Sequence, residues 1–176
     1  MKTEIVVIKI TEDWLLKLAC EFTTGGLDSS KVNFDKMYGC EHSPIRTQMF
    51  IVEMYNIPTF VSVHLVRHKI GVEHFVKSNR DDRGGNGEEN RYTPINHLMF
   101  INAQALINIS RKRLCLKAHP ETQAVMLKIK QGVELCDPDL AKYMVKECEY
   151  RNGCHELKSC GYWRKNYGVI NNLRIL

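Results

Sequence analysis

The sequence predicts an α+β fold on three observations. Residues 4–10 and 48–55 are rich in Ile, Val and other strand formers. Further along, Leu98, Ile101, Ala105, Ile109 and Leu116 recur at helical spacing. Pro120 and Pro138 each stand where a helix would begin. A chain that mixes strand and helix signals in this way reads as α+β.

In chain order, residues 4–10 are the first expected strand. Thr11 is the expected cap of a helix over 12–22, with acids in its first turn, and Gly25-Gly26 ends it. Residues 29–38 are read as a short second helix. The strand from Gln48 to Tyr55 stops before Asn56-Ile57-Pro58, and Pro58 opens a helix to about His68. The β-branched character of 60–66 leaves a strand as the rival reading there. Residues 78–91 are dominated by Gly and polar side chains and read as a loop. One helix is expected over 95–116 and another from Pro120 to about Gln131. A last helix runs from Asp137, its N-cap, to about Cys148.

The chain has 176 residues, the size of one domain, and 44% hydrophobic with 26% charged residues marks it as globular. The net charge of +5 suits an anionic partner such as a nucleotide and is too mild to mark a nucleic-acid binder. No apolar run approaches the length of a membrane span, and the charged N-terminal stretch lacks a signal-peptide cleavage pattern. A cytoplasmic protein is expected. Seven cysteines in a reducing compartment read as core thiols, redox groups or metal ligands.

Four constellations carry chemistry. Arg67-His68-Lys69, with His64 a turn earlier, makes an anion site or a solvated helix end. Asn102, Gln104 and Asn108 lie in an apolar stretch. Their amides suit the donor and acceptor edges of flavins and pyrimidines, or face water. Arg80, Arg83 and Arg91 in the polar loop close over an anionic substrate or pair with Asp81, Asp82, Glu88 and Glu89. Cys148, Cys154 and Cys160, with Cys136 or His155 as fourth ligand, form a candidate structural zinc site. Iron–sulfur ligation and unliganded thiols are its rivals.

Taken in order, these pieces resemble the flavin-dependent thymidylate synthases. Cys40-Glu41-His42-Ser43-Pro44 is similar to that family's Gly-His-Glu-Thr/Ser-Pro segment, with His and Glu exchanged. The stretch from Thr59 through Arg67-His68-Lys69 to Gly71 resembles the helix that leads into its Arg-His-Arg signature. Asn102-Ala-Gln-Ala-Leu-Ile-Asn108 resembles its Asn-Ala-Arg-Ser-Leu-x-x-Phe helix. The run from Arg113 to Thr122 resembles its Arg-Cys-Cys-x-Arg-Ala-Gln-Trp-Glu-Ile segment. The signature's second half, Ser-x-Asn-Glu-x-Ser-x-Arg-Tyr, does not match in register after Lys69.

The resemblance implies an α+β fold with a mixed or antiparallel sheet and packed helices. It implies a synthase-like domain over 1–147, which leaves 148–176 as a Cys-rich extension. It also implies an enzyme that transfers a one-carbon unit, methyl or hydroxymethyl, to C5 of dUMP with reduced FAD. NADPH and methylenetetrahydrofolate would be co-substrates, and the site would be built in a homotetramer. Ser43, Arg67, His68, Lys69, Asn102, Gln104 and Asn108 would hold FAD. His64, Arg67 and Arg113 would meet the nucleotide, and Arg113 would favour negative charge on the pyrimidine ring. Outside any matched motif, Lys77, Arg80, Arg83 and Arg91 are the candidates to replace the missing phosphate contacts. The alternative is a non-catalytic nucleotide- or nucleic-acid-binding homologue that has lost the dUMP site.

Overall fold

The computed structural model describes residues 2–26, 28, 31–78, 80–85 and 90–168. Four strands, β1 (Glu4–Lys9), β2 (Met49–Pro58), β3 (Val72–Val76) and β4 (Pro94–Asn102), form one sheet in the order β1-β2-β4-β3. Every neighbouring pair is antiparallel. The helices are α1 (Asp13–Thr24), α2 (Phe34–Gly39), α3 (Thr59–Leu65), α4 (Ala103–Arg113), α5 (Pro120–Cys136), α6 (Pro138–Tyr143), α7 (Glu147–Tyr150) and α8 (Tyr162–Tyr167). The expected α+β class is therefore observed, with a wholly antiparallel sheet.

One face of the sheet builds the core. Phe50, Val52 and Met54 of β2 and Ile95, Met99 and Ile101 of β4 are buried, alternating along each strand as the pleat requires. Leu106, Ile107, Ile109, Met126, Ile129 and Val133 from α4 and α5 pack in the same core. Each fully buried side chain of this size contributes about 1.5–3 kcal/mol. Helix α5 lies against β1, and Gly132 permits it: a Cβ there would meet Val7 Cγ2 at 2.5 Å. On the opposite face Ile8, Phe75 and Phe100 remain substantially exposed.

Several expectations need correction. Thr11 does not cap α1. Its hydroxyl accepts a hydrogen bond from Met49 N at 2.8 Å and ties the chain to β2, while Glu12 occupies the cap without a side-chain bond. The second helix begins at Phe34, capped by Asn33, and residues 29 and 30 lie outside the described residues. Pro58 is the N-cap of α3, not its first residue, and α3 ends at Leu65, before His68. The expected 95–116 helix is a strand that passes directly into a helix, with Asn102 as the hinge. Asn102 Oδ1 accepts from Ala105 N at 2.9 Å and so caps α4. Strand β3 was not expected.

Asp137 caps α6 as expected, its Oδ1 accepting from Leu140 N at 3.1 Å. That helix stops at Tyr143, and α7 is separate. The carboxylate is buried and does more: Oδ2 accepts from Tyr38 OH at 2.8 Å and pairs with Lys9 Nζ at 2.9 Å. One side chain thus joins β1, α2 and α6, which satisfies a buried charge on every side. No described helix is long and apolar enough to cross a membrane.

Candidate functional site

Arg113, at the last position of α4, organises the site. Its Nε donates to His68 Nε2 at 3.0 Å, and one terminal nitrogen donates to the His64 carbonyl at 2.6 Å. Burial and the neighbouring Arg67 hold its pKa below the usual guanidinium value. The His64 ring turns to Thr122 Oγ1 at 2.9 Å, at the start of α5. Burial first, then the charges of Arg113, Arg67, His119 and Arg91, push the His64 pKa down. Four cationic or protonatable groups thus crowd one histidine, an arrangement that an anionic ligand relieves.

Arg91 reaches this cluster through aromatic rings. Its guanidinium lies over Phe60 at 5.0 Å and over Tyr92 at 5.2 Å, and Phe60 also packs edge-on against His64 at 5.7 Å. Arg80 is elsewhere: it pairs with Asp82 on an exposed turn at 2.8 Å. Arg83 ends that same turn. Of the loop arginines, the structure gathers Arg91 with the His64 group and leaves Arg80 and Arg83 outside it. Glu88 and Glu89 lie outside the described residues.

The Arg-His-Lys segment has left the helix. Arg67, His68, Lys69 and Asn108 line one cavity of about 360 Å³, with Ile70 and Ile109 as apolar wall. The loop is fixed from both ends. Asn102 N donates to Gly71 O at 2.9 Å, and Gly71 adopts φ +75°. Gln104 donates to Glu41 at 2.5 Å and to Asn108 at 3.4 Å, and Arg111 also pairs with Glu41. Arg111 stacks on Tyr150, 3.4 Å from the ring centroid. Ser43 is exposed two residues beyond Glu41, on the segment whose carboxylate holds Gln104.

Behind the loop runs a chain of histidines that sequence reasoning missed. His74 Nε2 lies 2.7 Å from the His68 carbonyl, which can only accept, so that nitrogen carries a proton. In neutral His74 the Nδ1 then accepts, and His97 Nε2 donates to it at 2.9 Å. His97 Nδ1 is left unprotonated, buried and without a partner. Burial first, then the charge of His74, pushes the His97 pKa down to about 4. His68, lowered by burial and then Arg113, is likewise pushed to about 4. Both rings are neutral near pH 7, so the His68 ring can accept from Arg113. Strand alternation, with Ile95, Met99 and Ile101 turned inward, was the available signal for a buried His97.

The metal expectation is revised by placement. Cys136 Sγ donates to Gly132 O and Val133 O, each at 3.5 Å, at the end of α5. It borders a cleft with Lys9 and Asp137, apart from the other three thiols. Cys148, Cys154 and Cys160 share a different cavity with Cys115. No three described His, Cys, Asp or Glu side chains are disposed around a common point as metal ligands.

No family model and no curated protein matches the sequence. Solved structures match the fold. A UMP/dUMP methylase, PolB, from Streptomyces cacaoi bound with 5-Br dUMP is 14% identical with a TM-score of 0.62, covering 82% of this chain and 97% of that one. Thymidylate Synthase X from Helicobacter pylori with FAD and dUMP is 14% identical with a TM-score of 0.61, covering 82% of this chain and 99% of that one. The antiparallel sheet with its packed helices is thus the fold of the flavin-dependent thymidylate synthases.

Proposed function

We propose that the protein transfers a one-carbon unit to C5 of a dUMP-like pyrimidine nucleotide with the help of reduced FAD. The observation that carries this reading is the Arg113 clamp: a partly buried guanidinium fixed on His64 and His68, with Arg67 and Arg91 close by. One structural neighbour is a UMP/dUMP methylase, and another was crystallised with FAD and dUMP.

The residues present fit such ligands. The cavity beside Arg67, His68 and Lys69 offers cations for phosphates, an amide in Asn108 for a ring edge, and apolar contacts for a ring face. Bound reduced flavin would supply hydride for a methyl product, whereas a hydroxymethyl product needs water at the same carbon. Methylenetetrahydrofolate would be the carbon donor and NADPH the reductant. Arg113 binds the pyrimidine and stabilises negative charge on its ring. Neutral His68 keeps Arg113 oriented, because its ring nitrogen accepts from Nε while the His64 carbonyl accepts from one terminal nitrogen. Arg67 and Arg91 hold the nucleotide phosphate.

A cavity of about 360 Å³ accepts part of a dinucleotide, so the rest is enclosed by further copies of the chain. The exposed Ile8, Phe75 and Phe100 on the outer sheet face support a homo-oligomer, a tetramer in this reading. Residues 1–147 carry the site, and 148–176 are an extension.

The test is to titrate the purified chain with FAD and with dUMP, then to follow release of the C5 proton of dUMP with reduced FAD and methylenetetrahydrofolate. Binding of both with proton release supports the proposal. Binding of dUMP without proton release would favour a nucleotide-binding homologue without chemistry. Binding of neither overturns the reading.

A further inference from the structure

Two histidines of the sheet are not used by the chemistry proposed above. His97 is buried on β4, and His74 stands beside it on β3, the edge strand. Their ring centroids are 5.1 Å apart, and His97 Nε2 donates to His74 Nδ1 at 2.9 Å. His74 Nε2 then donates to the His68 carbonyl at 2.7 Å. The arrangement costs stability. His97 Nδ1 is buried without a partner among the described residues, and an unmet polar atom in a core is destabilising. Apolar side chains of similar shape at both positions would avoid that loss. Packing therefore does not account for the pair.

What the pair supplies is a directed donor. Residues 66–71 form no helix or strand, and Arg67, Lys69 and Ile70 are exposed, so burial does not fix this loop. Its near end is held by Val66 N on Ser62 O and His68 N on Leu65 O, its far end by Asn102 N on Gly71 O. Between these ends His74 grips the His68 carbonyl from the sheet. The ring of the same residue accepts from Arg113 Nε at 3.0 Å. A shift of the carbonyl would carry the ring with it and release the guanidinium. His97 sets the tautomer: a donor at His74 Nδ1 keeps the His74 proton on Nε2, where the carbonyl needs it.

We propose that His74, held in its tautomer by His97, is a positioning residue of the nucleotide site: through the His68 carbonyl and ring it fixes the direction of Arg113. This rests on the reading of Arg113 as the group that meets the pyrimidine. His74 and His97 act through His68 and are not catalytic residues. The effect on rate is large because a misplacement of about 1 Å in a reacting group can cost roughly 10²-fold. Strands hold such a constellation more tightly than loops do, and the two histidines tie a loop to two paired strands.

Three variants of the full chain separate this role from a structural one. His74→Gln keeps a side-chain donor for the carbonyl, His74→Phe fills the space without one, and His97→Leu removes the donor that sets the tautomer. His74→Phe should keep the wild-type denaturant midpoint or raise it. Its release of the C5 proton of dUMP should nevertheless fall by up to about 10²-fold, through kcat and with KM little changed. His74→Gln should recover most of the rate, and His97→Leu should lie between. Nitrogen-15 NMR of the histidine- and arginine-labelled chain reads the geometry without turnover. Wild-type His74 should carry its proton on Nε2 and none on Nδ1. The Arg113 Nε proton should exchange slowly with water in wild type and His74→Gln, and fast in His74→Phe. A fully active His74→Phe, a loss of rate that only follows a loss of stability, no recovery in His74→Gln, or a His74 proton on Nδ1 would each overturn the proposal. A wild-type chain that binds neither FAD nor dUMP overturns the functional reading instead, and the Arg113 exchange rates then decide whether His74 holds the guanidinium.

Discussion

Helix α4 and the segment from Glu147 to Gly168 are held in place by different means. α4 buries Ala103, Ala105, Leu106, Ile107, Ile109 and Ser110, so its position is set by packing on the sheet and α5. The later segment buries Cys148, is tied to α4 by Arg111 over Tyr150 and by Lys112 beside Glu147 at 3.6 Å, and is knit together by polar contacts centred on Glu149. Tyr162 OH donates to Glu149 at 2.6 Å, Lys146 N donates to it at 2.9 Å, and Tyr167 reaches it at 3.3 Å. Packing gives a helix end that stays put when Arg113 meets charge. A polar clamp gives a segment that can dock and release, because exposed ion pairs and hydrogen bonds contribute little each.

The largest expected effect lies in the packed region. Leu106→Ala removes a fully buried side chain and should destabilise the protein by about 2–5 kcal/mol, read from the denaturant midpoint. An unchanged midpoint would mean that α4 is not held by its core face. Next comes Arg113→Ala, which removes the donor proposed to stabilise ring charge. Activity on dUMP should fall by roughly 10²–10³-fold. A change confined to KM would assign Arg113 to binding alone.

The third effect is one of pH. Folded His97 stays neutral down to about pH 4, whereas the unfolded chain takes up its proton near the ordinary value of 6.5. The unfolded state therefore binds more protons between these values, and stability falls as pH drops from about 6.5 to about 4, then levels off. The loss attributable to His97 is at most about 3 kcal/mol. His97→Gln should reduce the slope over that range and leave the part that His68 contributes, and an unaltered slope would show that His97 carries none of it. The smallest effect belongs to the clamp. Tyr162→Phe should weaken the contact between α8 and α7 by about 1 kcal/mol. It should speed amide exchange in residues 147–167 while leaving α4 and α5 unchanged. Faster exchange in α4 as well would erase the distinction between the two regions.

The same distinction explains what could be read from the sequence. β1, β2, α5 and the Asp137 cap were legible because a dense apolar pattern or a capping residue marks each locally. β4 was not. Leu98, Ile101, Ala105 and Ile109 satisfy a helical period, and Ile95, Met99 and Ile101 satisfy a strand period in the same stretch. The fourth inward position is His97, which counts as polar and hides the alternation. β3 has buried Val72 but exposed Glu73, Phe75 and Val76, so its sequence marks no core face. It owes its place to its pairing with β4.

In the candidate site, Arg67, His68, Lys69 and Asn108 were legible because each stands in a short motif, whereas Asn102 serves as the cap of α4. Arg91 was named but not separated from Arg80 and Arg83. Its neighbour offered the missing signal: Tyr92 gives Arg91 a ring to lie over, which the neighbours of Arg80 and Arg83 do not. Glu41, His74 and Tyr150 were not legible, since each acts through a partner distant in sequence. Glu41 holds both Gln104 and Arg111, which gives the acid at that position a physical role. Nothing in the local sequence joins Cys115 to the later cysteines, and its place beside them emerges from the turn after α4.

Gly71 sets a limit on how this protein can vary. With φ at +75° and the Asn102 side chain 2.5 Å from where a Cβ would stand, position 71 admits no side chain without moving the cap of α4. A library that randomises this position should return glycine among folded clones, however freely Lys69 or Ile70 vary. Drift in the cationic loop is therefore open in its chemistry and closed in its length. New ligand preferences can arise by exchanging the residues at 67–70, and an inserted or deleted residue there would misplace the start of the helix that carries Arg113.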